Sequence, residues 1–131
     1  MKNTEQTPKR ILVVDDESVI RALVQRAIDP TKCDLILAGS VQEGMEQIDR
    51  MGFDLLLADL RLPDGNGVDI IRHFKTKYPG APVLVITGSL TPEERLLQVE
   101  GSGVTDCIQK PFDLQVLQKA IYQALEKTCT R

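Results

Sequence analysis

Tryptophan is absent from this 131-residue chain, and aromatic residues make up only 4% of it. That excludes a protein that binds single strands by stacking bases on aromatic platforms. Excess positive charge is missing too: 16 Lys and Arg stand against 19 Asp and Glu, for a net charge of −3. No basic stripe appears, so direct nucleic-acid binding is not expected. The chain has one histidine, His73. A histidine pair, a histidine-rich metal site and an internal histidine relay are therefore excluded. The three cysteines, Cys33, Cys107 and Cys129, are odd in number, widely spaced and outside any metal-binding pattern. They read as free thiols of a reducing cytosol. Apolar runs are short, four or five residues at most, as in Leu55-Leu56-Leu57-Ala58, and no membrane span is expected. The start, Met1 to Pro8, is polar and lacks an apolar signal core. Secretion is not expected and a cytoplasmic location is.

What is present is an ordinary globular mix, with 42% hydrophobic and 27% charged residues. The length suits one domain, which at this size buries roughly 65–70% of its unfolded surface. Short apolar runs alternate with amphipathic stretches. The runs are Ile11–Val14, Leu35–Ala38, Leu55–Ala58, Val83–Ile86 and a weaker Val104–Ile108. Four of them are continuous, as strands buried on both faces of a parallel sheet are. Between them lie helix signals. Val19, Ile20, Leu23, Val24, Ala27 and Ile28 share one helical face, which Pro30 stops. Ser40-Val41-Gln42-Glu43 has capping-box spacing, followed by Met45, Ile48 and Met51 on one stripe. A third helix starts at Asn66 and ends before Pro79. Thr91-Pro92-Glu93-Glu94 opens a fourth, and Leu114, Leu117, Ala120, Ile121, Ala124 and Leu125 line a fifth. Five βα units predict an α/β domain with a doubly wound five-stranded parallel sheet of order 2-1-3-4-5. The expected boundaries are an N-terminal extension over residues 1–9, the domain over 10–127 and a frayed tail over 128–131.

In such a sheet, function gathers beyond the C-terminal strand ends. Strand 1 is followed by Asp15-Asp16-Glu17, strand 3 ends at Asp59, strand 4 at Thr87-Gly88, and strand 5 leads into Lys110-Pro111. Crowded carboxylates repel unless a cation sits among them. Oxygen-only ligands suit a hard cation, Mg²⁺ before others. Asp15 and Asp16 have a competing reading as caps of the first helix. It does not extend to Asp59, which is followed by Leu60-Arg61-Leu62-Pro63 rather than by a helix. Thr87 taken alone reads equally as a turn hydroxyl, and Lys110 as a solvated charge. Taken together, a carboxylate beside Mg²⁺, a lysine and a hydroxyl make a site for phosphoryl transfer onto oxygen. Asp59 would be the nucleophile, and Mg²⁺ and Lys110 would neutralise the equatorial oxygens. Thr87 would bond a phosphoryl oxygen only after transfer, as a switch does.

These residues resemble the receiver domain of two-component response regulators, a flavodoxin-like (βα)5 fold. Five segments carry the resemblance: Ile-Leu-Val-Val-Asp-Asp-Glu at 11–17, Leu-Ala-Asp-Leu-Arg-Leu-Pro at 57–63, Gly65-Asn66-Gly67, Val-Ile-Thr-Gly at 85–88, and Lys110-Pro111-Phe112. The resemblance implies that Asp59 is the phospho-acceptor. It implies that Asp15 and Asp16 hold Mg²⁺, with Asp16 the more direct ligand, together with Asp59 and the backbone carbonyl of Arg61. Thr87 and Gly88 would meet the phosphoryl group, as would Lys110, and the Lys110–Pro111 peptide would be cis. The donor would be a phosphohistidine on a sensor histidine kinase or a histidine phosphotransfer protein, because His73 reads as an ordinary residue on the third helix. The readout would be a shift of the helix 4–strand 5–helix 5 face, used for homodimerisation or for docking a downstream effector or a missing output domain. The chain would be a phospho-acceptor with slow self-catalysed chemistry rather than an enzyme.

The chain also departs from the family pattern. The position three residues before the lysine, usually Tyr or Phe, is Cys107. Its small thiol removes any large ring rotation and leaves switching to Thr87 and helix 4. A redox-reporting thiol is the sharper alternative. Arg61 and Ser89 occupy the pair of positions that influence acyl-phosphate lifetime in the family. Two other functions compete. An aspartyl-phosphate phosphatase acting on small molecules would carry a second acid near the nucleophile and a cap domain, but position 61 is arginine and no cap segment is evident. A phosphorylation-independent interaction module of the same fold would predict a damaged site, and all the site residues are present.

Overall fold

The computed structural model describes residues 8–88 and 104–129, with side chains described as far as Glu126. Its main sheet has five parallel strands: β1 (Lys9–Val14), β2 (Cys33–Ala38), β3 (Leu55–Asp59), β4 (Val83–Thr87) and β5 (Asp106–Gln109). Their order is β2-β1-β3-β4-β5, the doubly wound order expected from the sequence. Four helices are described: α1 (Ser18–Ala27), α2 (Val41–Arg50), α3 (Gly67–Lys77) and α4 (Leu114–Cys129). The helix expected from Thr91 onward lies outside the described residues, as does Ser89. Helix α4 therefore corresponds to the fifth helix expected from the sequence. It runs on past Lys127, where the sequence suggests fraying.

Alternate residues of each strand serve opposite faces. Ile11, Val13, Leu55, Leu57, Leu84 and Ile86 pack with Ile20 and Val24 of α1 and with Leu117 and Ile121 of α4. Leu12, Val14, Leu56, Ala58, Val83 and Val85 pack with Ile48 of α2 and with Ile70, Ile71 and Phe74 of α3. Helices cover both faces, so β3 and β4 are buried along their whole length. That is why their runs are continuous rather than alternating.

Local details differ from the sequence expectations. Val19, expected on the buried face of the first helix, is 69% exposed. The stripe that meets the sheet holds Ile20, Val24 and Ala27, with Leu23 partly buried against the same core, and α1 ends at Ala27, with Ile28 buried just past it. The capping box at Ser40 is half formed. The Glu43 amide donates to Ser40 Oγ at 3.1 Å, but the Glu43 carboxylate accepts from the Gly39 amide, one residue earlier. The fifth strand begins at Asp106 rather than Val104. The residue that precedes α1 is Glu17, and its own side chain makes no cap bond to that helix. Asp15 bonds the amide of Glu17 itself, just ahead of the first helical residue.

A two-stranded antiparallel ribbon, Arg61–Leu62 with Gly65–Asn66, follows β3. Its tip is tied down. Asp64 accepts from the Val41 amide at 2.7 Å and the Gln42 amide at 3.0 Å, capping α2 from 22–23 residues away. Those two amide bonds hold the Asp64 carboxyl below its usual pKa. Asn66 caps α3 through the Val68 amide at 2.8 Å. Among the described residues, no helix is long and apolar enough to cross a membrane.

Candidate functional site

The strand register decides what meets beyond the sheet. Val14 pairs with Ala38 and Ala58, Asp59 with Ile86, and Thr87 with Gln109. The residues that follow Val14 and Gln109, Asp15 and Lys110, therefore reach the same edge as Asp59 and Thr87. Asp15, Asp59 and Thr87 are the buried polar residues among those described.

Backbone bonds hold each position. The Asp15 amide donates to the Ala38 carbonyl at 3.0 Å, and Arg21 Nε donates to the Asp15 carbonyl at 2.8 Å. The Lys110 amide donates to the Thr87 carbonyl at 2.8 Å, so the lysine and the threonine share one anchor. The Lys110–Pro111 peptide is cis. Gly67 lets α3 begin against β3: a Cβ there would lie 2.1 Å from the Asp59 carbonyl oxygen.

The side chains form one ionic cluster. Lys110 Nζ lies 2.8 Å from Asp59 Oδ2, 2.5 Å from Glu17 Oε1 and 3.2 Å from Asp15 Oδ2. Asp59 Oδ1 accepts from the Arg61 amide at 3.1 Å, and Asp15 Oδ1 accepts from the Glu17 amide at 2.8 Å. Burial works against a charged Lys110. The hydrogen bonds to Asp59 and Glu17, with the charge of Asp15, outweigh it and hold the ammonium above its ordinary pKa. Burial also pushes the Asp15 carboxyl up, against the pull of the Glu17 amide and Lys110.

Of the expected site residues, Asp15, Asp59, Thr87 and Lys110 come together. Asp16 does not join the cluster and is exposed. In its place the third clustered carboxylate is Glu17, whose longer side chain reaches back over the site. In the sequence Glu17 is only the third member of an acidic run, and nothing in the spacing separates it from Asp16. Arg61 lies at the start of the ribbon with an exposed side chain, and Gly88 is exposed at the strand end. Cys107 is half-buried on β5, opposite Val85, packed against the α2–α3 side of the core. His73 bonds Asp49 of α2 at 2.8 Å and takes no part in the site.

The donor set fits a hard divalent cation. Asp15, Glu17 and Asp59 each offer an oxygen within 4.8 Å of the others. Three carboxylates and one ammonium leave two negative charges, the balance that Mg²⁺ would neutralise. Asp15 Oδ2 is buried and accepts no hydrogen bond, only the ionic contact of Lys110. A buried carboxylate oxygen in that state is an open ligand position.

The relatives agree with this geometry. A family model described as the response regulator receiver domain matches residues 11–122. The chain is 38% identical over 119 residues to the response regulator protein PilR of Pseudomonas aeruginosa, covering 89% of this chain and 26% of PilR. It is 28% identical over 128 residues to the probable transcriptional regulatory protein TcrX of Mycobacterium tuberculosis, covering 98% of this chain and 54% of TcrX. The chain thus spans about a quarter to a half of these relatives' length. Among solved structures, a CheY-like receiver domain protein from Methanospirillum hungatei superposes with a TM-score of 0.85 at 26% identity. That match covers 93% of this chain and 97% of the other. The non-phosphorylated HemR receiver domain from Leptospira biflexa gives 0.80 at 30% identity, over 89% and 94%. With its sheet order, its acidic edge and its lysine in register, the chain belongs to the response regulator receiver domain family.

Proposed function

We propose that this chain receives a phosphoryl group on Asp59 from a phosphohistidine of a sensor histidine kinase or a histidine phosphotransfer protein, in a Mg²⁺-dependent reaction. The observation that carries this reading is the buried Asp59 carboxylate held 2.8 Å from Lys110 Nζ at the end of an apolar strand. An Asp59 carboxylate oxygen attacks phosphorus, the P–N bond of the donor breaks, and the imidazole leaves with its electron pair. Lys110 then offers its hydrogens to the phosphoryl oxygens. Thr87, at the adjacent strand end, meets the same group once it is in place. Asp15, Asp59, the Arg61 carbonyl and either Glu17 or Asp16 would hold the metal, which screens phosphoryl charge when bound. The product is a carboxylic–phosphoric anhydride that adds about −1.5 to −2 charges at one point. That change supports a relay role in which β5 and its flanking helices pass the signal to a second copy, an effector or an output domain. The chain acts as a substrate of its partner rather than as an enzyme, at a cytoplasmic location.

Incubation with acetyl phosphate and Mg²⁺, read by intact mass, tests the reading. One phosphate adduct is expected, absent in Asp59→Asn and absent with a chelator. No adduct from any small phosphodonor would instead support a module of receiver fold that acts without phosphorylation.

A further inference from the structure

Glu17 stands out because its position and its contact disagree. It occupies the start of α1, where a side chain ordinarily bonds the first helix amides, yet it makes no such bond. Its carboxylate turns away to Lys110, 2.5 Å off and 93 residues distant in sequence. An ammonium has three hydrogens; Lys110 donates to Glu17 and Asp59, and Asp15 Oδ2 lies 3.2 Å away as an ionic contact without a hydrogen bond. An incoming phosphoryl group competes for the hydrogens held by Glu17 and Asp59, and the carboxylate that water solvates most readily gives way first. The Asp15 side chain is 0% exposed and that of Asp59 6%, whereas that of Glu17 is 56% exposed. Water is at hand to solvate Glu17 when it lets go, and an exposed ion pair is the weakest of the three.

We infer that Glu17 is a latch on Lys110: it holds the ammonium at the rim in the resting protein and restrains phosphorylation of Asp59. This rests on Asp59 being the acceptor and on Asp16, rather than Glu17, completing the metal's ligands. Two effects act in the same direction. The latch occupies a hydrogen that the phosphoryl oxygens require, and its charge at the rim repels an anionic donor. Glu17→Gln removes the charge while keeping the shape. At saturating Mg²⁺ it should speed labelling by acetyl phosphate roughly three- to tenfold, as expected for one exposed charge a few ångströms from an anion. Part of that gain should fade at high salt. A rate equal to or below wild type would overturn the latch.

A second measurement needs no phosphorylation. In metal-free protein, the Lys110 ammonium should give a resolved ¹⁵N–¹H signal, slowed in exchange by its fixed partners. The signal should broaden into the solvent-exchanging lysines in Glu17→Gln. An unchanged signal would overturn the latch even if Asp59 is never labelled. If the signal changes but neither protein is labelled, the phospho-acceptor reading fails and the hold of Glu17 on Lys110 stands.

Discussion

Asp15 and Gly67 show how single residues are constrained by neighbours that sequence distance hides. Asp15 is buried beside two other carboxylates, and burial raises its pKa. Its two oxygens do different things: Oδ1 accepts the Glu17 amide, and Oδ2 is buried without a hydrogen bond, 3.2 Å from Lys110 Nζ. Gly67 is constrained by bulk. Its missing Cβ lets α3 start against Asp59, whose carbonyl oxygen a Cβ would meet at 2.1 Å. That atom is backbone, in a strand buried on both faces, and has nowhere to go. Gly67→Ala should therefore cost about 2–3 kcal/mol, the upper part of the range for overpacking, measured by urea unfolding. Because the strain falls on the Asp59 peptide, labelling of Asp59 should slow as well. The Asn66-Gly67 pair marks a helix start in the sequence, and the Asn66 cap bears that out. The close approach to Asp59 leaves no mark there, because the contact exists only once α3 packs on β3.

The elements are joined by polar ties as well as by the core. The ribbon after β3 is held at its tip by Asp64, which caps α2 with both carboxylate oxygens. The segment that carries Arg61 is thereby fastened to a helix. Asp64→Ala should lower the thermal midpoint at pH 7, and Asp64→Asn should recover part of the loss, because Asn also caps helices. The pH dependence has a definite sign. The folded-state pKa of Asp64 lies below its ordinary value, so its contribution is complete above that ordinary value. It is lost as pH falls through the folded-state pKa. The gap between wild type and Asp64→Ala should close over that acid range, as followed by thermal melts. Helix periodicity locates α1, α2 and α3 within a residue or two. It places Val19 wrongly, because a helix packed on a sheet buries a narrower stripe than its apolar residues suggest.

For the molecule as a whole, the site is a concentration of negative charge on a fold that is otherwise mildly acidic. Three carboxylates meet one ammonium, and folding brings them together against their repulsion. A divalent cation that binds only the folded state must stabilise it. Mg²⁺ at about 100 times its Kd should add about 2.7 kcal/mol, read as a rise in thermal midpoint. The rise should be absent in Asp15→Asn, and Na⁺ at matched ionic strength should not reproduce it. Equal midpoints with and without Mg²⁺ would count against the metal site.

The order of apolar runs is enough to determine the five-stranded sheet, its strand order and the edge where Asp15, Asp59, Thr87 and Lys110 gather. The physical reason is that two-sided burial and right-handed crossovers leave few other arrangements. Tertiary structure alone decides which acid joins that edge. Asp16 and Glu17 are adjacent in sequence and equal in charge, and only the turn into α1 sends Glu17 to Lys110 and Asp16 to solvent.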